Sequence, residues 1–131
     1  MKHFTYSEFD SPDLKGSGRI MNKTFLRFID ELRTRCKFSF RITSGYRTAE
    51  YHENLTKRGY KTIPTSAHLK GLAADIAVSD STKRAILVGF ALEITNEMGL
   101  PFRVGVAGKS GGNFVHIDID STKKHPRLWV Y

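Results

Sequence analysis

Residues 114–120 alternate without a break: Val115, Ile117 and Ile119 interleave with His116, Asp118 and Asp120. A period of two is that of a β-strand, whose successive side chains point to opposite faces. One face is therefore aliphatic and belongs to a core. The other carries an imidazole and carboxylates and must meet something polar. Residues 72–78 repeat the theme, with Leu72, Ala74, Ile76 and Val78 on one face and Ala73, Asp75 and Ala77 on the other. A carboxylate in a short apolar strand must be paired, hydrogen-bonded or metal-bound, because burying an unpaired charge is costly.

Further elements surround these two strands. Phe25, Phe28, Ile29 and Leu32 recur at helical spacing and predict a helix over about 21–35. Phe38, Phe40 and Ile42 alternate with polar residues and predict a half-buried strand. Thr48, followed by Glu50 and Glu53, predicts a capped short helix to about Arg58, and 59–70 reads as a loop. A long helix is expected from about Ser81 to Met98, capped by Asp80 or Ser81 and ended by Gly99 and Pro101. A short strand over 102–106, a turn at Gly108–Gly112 and an edge strand at Leu128–Tyr131 complete the reading. Without a regular βαβ rhythm the class is α+β: a small antiparallel sheet with flanking helices.

The chain of 131 residues is expected to form one domain, 1–131, with an irregular N-terminal arm over residues 1–19. No apolar run approaches the roughly 18 residues of a membrane span, so no membrane insertion is expected. Met1–Phe9 holds no apolar signal-peptide core, so synthesis in the cytoplasm is expected. A single cysteine, Cys36, excludes a disulfide framework and a multi-cysteine zinc site. The net charge of +8 is compatible with a solvated surface, or with attraction to nucleic acid or an anionic cell wall. No nucleic-acid-binding signature accompanies it, so no specific nucleic-acid partner is expected.

Zinc accepts nitrogen and oxygen donors, and three protein ligands with one open position make a catalytic site. His68, Asp75 and His116 would supply that set. On spacing alone, a structural hydrogen-bonded pair of Asp75 and His116 explains the pattern as well.

Ser66-x-His68, Gly71-x-Ala73-x-Asp75, the upstream Ser44-Gly45-Tyr46-Arg47-Thr48 and the downstream Phe114-Val115-His116-Ile117-Asp118 occur in order. Together with Ser7–Asp13 they resemble the M15 family of zinc peptidases over about residues 4–120. That family includes D-alanyl-D-alanine carboxypeptidases and L-alanyl-D-glutamate endopeptidases of phage lysis; the likeness is to its short single-domain branch. The resemblance implies a hedgehog/D-Ala-D-Ala peptidase-like fold and one zinc ion held by His68, Asp75 and His116. It implies that Arg47 engages substrate carboxylate or carbonyl groups, with Ser66 and Tyr46 as further substrate-binding candidates. The implied substrates are peptidoglycan stem or cross-link peptides, cut as a carboxypeptidase or an endopeptidase by a monomeric wall-lytic or remodelling enzyme.

One departure matters. Many family members carry Glu or Asp three residues before the last histidine as general base, where this chain has Asn113. Asp118 is the substitute on the same strand face, either as that catalytic base or as a partner orienting His116. Asn113 also leaves open a catalytically inactive, metal-containing binding module of the same fold. His52 could face the cleft from the short helix, with a solvent-facing position the preferred reading; Asp120 is expected to be a solvated strand-end acid, and Trp129 and Tyr131 to pack the C-terminal strand.

Overall fold

A computed structural model describes all 131 residues. Three helices, α1 (Lys23–Cys36), α2 (Ala49–Lys57) and α3 (Ser81–Met98), accompany five strands: β1 (Ile42–Ser44), β2 (Ala73–Ala77), β3 (Arg103–Ala107), β4 (Phe114–Asp118) and β5 (Arg127–Val130). The strands form one sheet in the order β1-β2-β4-β3-β5. The α+β class expected from the sequence is what the chain adopts. The sheet is mixed rather than wholly antiparallel: β5 runs parallel to β3, pairing Val104 with Leu128 and Gly105 with Trp129. The connection from β4 to β5 returns along residues 119–126 to the far edge, a long-range choice that no local pattern encodes.

Local signals set the helix ends. The Asn22 side chain accepts from Phe25 N–H at the start of α1, Thr48 from Tyr51 N–H at α2, and Asp80 from Lys83 N–H at α3. Gly99, in the left-handed region, ends α3. The aliphatic face of the sheet, with Ala74, Ile76, Val104, Val115 and Ile117, packs against Phe25, Phe28, Ile29 and Leu32 of α1 and Leu87 and Ile94 of α3. Burial of each large apolar side chain contributes about 1.5–3 kcal/mol, so this one face supplies most of the cohesion. No helix is long and apolar enough to cross a membrane.

Residues 38–42 keep the expected alternation, with Phe40 buried and Arg41 exposed, but ladder pairing begins only at Ile42. The N-terminal arm, expected to be irregular, forms two 3-10 turns, Tyr6–Phe9 and Ser17–Ile20, and is anchored: Phe4 and Phe9 belong to the core. Tyr46 N–H donates to the Phe9 carbonyl (2.9 Å), and Thr48 Oγ1–H donates to Asp13. Gly45 is required at this crossing, since a Cβ there would lie 2.7 Å from Phe9 Cα.

Candidate metal centre

The polar face of the sheet is organised by register. Ser44 pairs with Asp75, Asp75 with His116, His116 with Gly105, and Gly105 with Trp129, so one row crosses all five strands. Directly opposed residues share a face, and this row carries a carboxylate and an imidazole side by side. The next row pairs Ala73 with Asp118 and Asp118 with Arg103.

His68 reaches the same place from a 3-10 turn, Ala67–Lys70. Ser66 caps that turn by accepting from His68 N–H at 3.2 Å. His68 Nδ1–H donates to the Gly45 carbonyl at 2.8 Å, which leaves its Nε2 lone pair directed at Asp75 Oδ1, 3.3 Å away. Lone pair faces carboxylate here, and His68 Nε2 is buried with no hydrogen-bond partner. An orphaned buried nitrogen of this kind requires an explanation. His116 Nδ1 lies 2.9 Å from the same Asp75 oxygen, and its Nε2–H donates to Asp118 Oδ2 at 2.7 Å.

One donor atom from each of His68, Asp75 and His116 falls within 4.8 Å of the others, and all three residues are buried. A tetrahedral ion with bonds of about 2.0–2.1 Å needs donors roughly 3.3 Å apart. The donor chemistry fits one zinc ion, and the two imidazole nitrogens, 3.3 and 2.9 Å from Asp75 Oδ1, lie close to that spacing from it. The two outer nitrogens, His68 Nδ1 and His116 Nε2, are each held by an oxygen acceptor, as metal-binding imidazoles usually are.

Electrostatics agree with the geometry. Burial pushes His68 down, and Asp75 only partly offsets this, so His68 stays neutral. Burial also opposes charge on His116, but hydrogen bonds to Asp118 and Asp75 outweigh it and raise the imidazole to about 9. Burial would raise Asp75, yet the charged His116, which donates to its Oδ1, holds it below the usual carboxylate range.

Asp118 is fully committed. One oxygen takes His116 Nε2–H; the other accepts from Arg103 Nε–H at 2.9 Å and from Asp120 N–H at 3.1 Å. Asn113 occupies a tight turn with φ of 53°, a left-handed conformation that Asn tolerates. Its side-chain oxygen accepts from Arg84 at 3.0 Å, so it serves the turn and does not line the metal cavity.

Arg47 is brought to the site. Its Nε–H donates to Ser44 Oγ (2.9 Å), and its Nη2 lies 3.4 Å from Asp75 Oδ2. Ser66 lines the cavity as well as capping the His68 turn, whereas Tyr46 packs against the core outside the cavity lining. The cavity holds about 270 Å³, and a second, of about 930 Å³, shares Arg47, Asp75, Phe114 and Tyr131 as lining residues with it.

Two expectations are corrected. His52 does not face solvent: it is buried, with Nδ1 3.3 Å from Arg47 Nη1 and Nε2 2.8 Å from the Ile63 carbonyl oxygen. Asp120 is wholly buried rather than solvated, because Lys70 Nζ at 3.0 Å and Thr122 satisfy its carboxylate. Trp129 and Tyr131 do pack the last strand, and both also line the cavity. The indole lies 5.5 Å from the His116 ring and 5.0 Å from the Arg103 guanidinium. Arg103 is a further site residue, absent from the family motifs. Its signal is a basic residue alternating with Phe102, Val104 and Val106, which puts it on the polar face of the strand.

The structure resembles the crystal structure of Serratia marcescens L-Ala D-Glu endopeptidase ChiX, with a TM-score of 0.61 at 17% identity over 77% of this chain and 81% of that one. This likeness concerns the fold. No curated protein matches the chain. The family model described as peptidoglycan L,D-endopeptidase MepK matches residues 16–125, which takes in the His68 turn, β2 and β4. With its fold and most of its length accounted for in this way, the chain belongs to that M15 peptidase family.

Proposed function

We propose that this protein is a zinc metallopeptidase that cuts internal bonds of peptidoglycan stem or cross-link peptides. The observation that carries the reading is the buried, unpartnered His68 Nε2, which faces Asp75 Oδ1 beside His116 Nδ1 at the bottom of a cleft. His68 would bind through Nε2, Asp75 through Oδ1 and His116 through Nδ1. A zinc ion bound there supplies Lewis acidity, polarising a carbonyl and lowering the pKa of water toward about 7.

The chain's own residues supply orientation. Asp118 is read as the residue that fixes the His116 ring, because both of its oxygens are engaged on the side of the ring away from Asp75. Arg47 presents a planar cation to a substrate carbonyl or carboxylate. Cleavage within a peptide is favoured over removal of a terminal residue because a larger cavity adjoins the metal cleft at Arg47 and Tyr131 and offers room beyond it. Action on the cell wall, after release or export, follows from the substrate.

A second reading, a metal-holding binding module without turnover, is favoured by one observation. Asp75 and Asp118, the two carboxylates in the cavity lining, are both engaged, and Asn113 supplies no other. Digestion of purified peptidoglycan by the zinc-loaded protein, with mass spectrometry of the fragments, separates the two. New peptide termini absent with His116→Ala support the peptidase. Bound zinc without cleavage of several wall types supports the module.

A further inference from the structure

His52 is the buried polar side chain that the metal centre leaves unexplained. It projects from α2 and is only 6% exposed, although Glu50, Glu53 and Lys57 mark most of that helix as solvated. Its two neighbours fix its chemistry. The Ile63 carbonyl can only accept a hydrogen bond and the Arg47 guanidinium can only donate one. The imidazole therefore carries its proton on Nε2, donates to Ile63 O at 2.8 Å, and accepts at Nδ1 from Arg47 Nη1–H at 3.3 Å.

Both partners matter to the cleft. Arg47 is held on three sides, by Ser44 Oγ, Asp75 and His52, and lines the cavity. The Ile63 carbonyl also accepts from Ser66 N–H at 3.2 Å, and Ser66 caps the turn that carries His68. Lys61, Thr62 and Ile63 line the cavity on the same loop. One neutral imidazole thus joins the substrate-facing cation to the loop that walls the cleft.

We propose that His52 is a positioning residue for substrate binding, latching Arg47 to the 59–66 loop through the Nε2-protonated tautomer. The proposal rests on the peptidase reading for its substrate, but not for its tautomer. Imidazole 15N NMR of the zinc-loaded protein should show His52 protonated at Nε2 and unprotonated at Nδ1; the opposite tautomer or a solvated ring overturns the latch.

Kinetics on a soluble stem peptide give the second arm. His52→Leu should raise KM about tenfold, with kcat changed by less than about threefold and zinc stoichiometry retained. His52→Gln, whose amide can both donate and accept, should recover most of the loss. In an Arg47→Ala background, His52→Leu should add no further increase. An unchanged KM in folded, zinc-loaded His52→Leu, or an undiminished effect without Arg47, overturns the proposal while the peptidase reading stands. A wild-type protein that binds zinc but neither cuts nor binds the peptide overturns the peptidase reading and the substrate role of His52 with it.

Discussion

Gly105 and Trp129 stand opposite each other on parallel strands, and the indole of the second occupies the space left by the side chain the first lacks. A Cβ on Gly105 would lie 2.4 Å from Trp129 Nε1. Because Gly105 also pairs with His116 on its other side, this gap lets the indole reach the imidazole. The row Asp75–His116–Gly105–Trp129 is therefore a packed unit in which the glycine sets how closely the aromatic wall approaches the metal face.

Gly105→Ala should displace the indole and destabilise the fold by about 1–3 kcal/mol, the usual cost of overpacking. Trp129 is the sole tryptophan, so its fluorescence reports the displacement directly. A shifted emission maximum and a lowered melting temperature are expected; an unchanged spectrum would contradict the packing account.

Asp118→Asn separates its two roles. If Asp118 orients His116, the substitution should weaken zinc binding by roughly 10–100-fold, as loss of a partner to a metal-binding histidine does. A proton acceptor would instead lose turnover with affinity intact. Arg103→Ala should act in the same direction as Asp118→Asn, because Arg103 Nε–H is the counter-cation of that carboxylate. Zinc affinity measured by competition with a chelator checks both variants.

His116 predicts a pH signature for the metal-free protein. Its folded pKa of about 9 lies above the ordinary imidazole value of about 6.5. Its contribution to stability is therefore complete below about pH 6.5 and lost as pH rises through about 9. Asp75 acts oppositely: held below its ordinary value of about 3.9, it stabilises above that pH and the contribution is lost on acidification. Zinc requires an unprotonated Nδ1, so binding at neutral pH should release about one proton per ion. Melting curves of chelated protein across this range test the first part. Calorimetric zinc titrations in buffers of different ionisation enthalpy test the second; no proton release would contradict a protonated His116.

Phe9→Ala should destabilise the protein by about 3–5 kcal/mol and also weaken zinc binding. Phe9 is fully buried, its carbonyl holds Tyr46 N–H, and the adjacent Gly45 carbonyl fixes the His68 tautomer. Loss of stability with zinc affinity unchanged would show that the arm and the His68 shell are independent.

Much of the site was legible because strand alternation carries it. His116 and Asp118 share a face by period two, and Asp75 announces itself as an acid among small apolar residues. α3 spans Ser81–Met98 as its Asp80 cap and Gly99 stop dictate. The inward turn of His52 is only an alternative in the sequence because charged neighbours on α2 mask a single inward position, and its partners Arg47 and Ile63 lie on loops without periodicity. Asp120 looked solvated because Lys70, fifty residues earlier, is what satisfies it. The parallel β3–β5 pairing, and with it the placing of Trp129 over His116, follows from chain return rather than from any local pattern.

X-ray absorption at the zinc edge of the loaded protein tests the central claim most directly. Two imidazole nitrogens with oxygen donors at about 2.0–2.2 Å and no sulfur are expected, with one imidazole lost in His68→Ala. A spectrum containing sulfur, or one unchanged by His68→Ala, would contradict a site built from His68, Asp75 and His116.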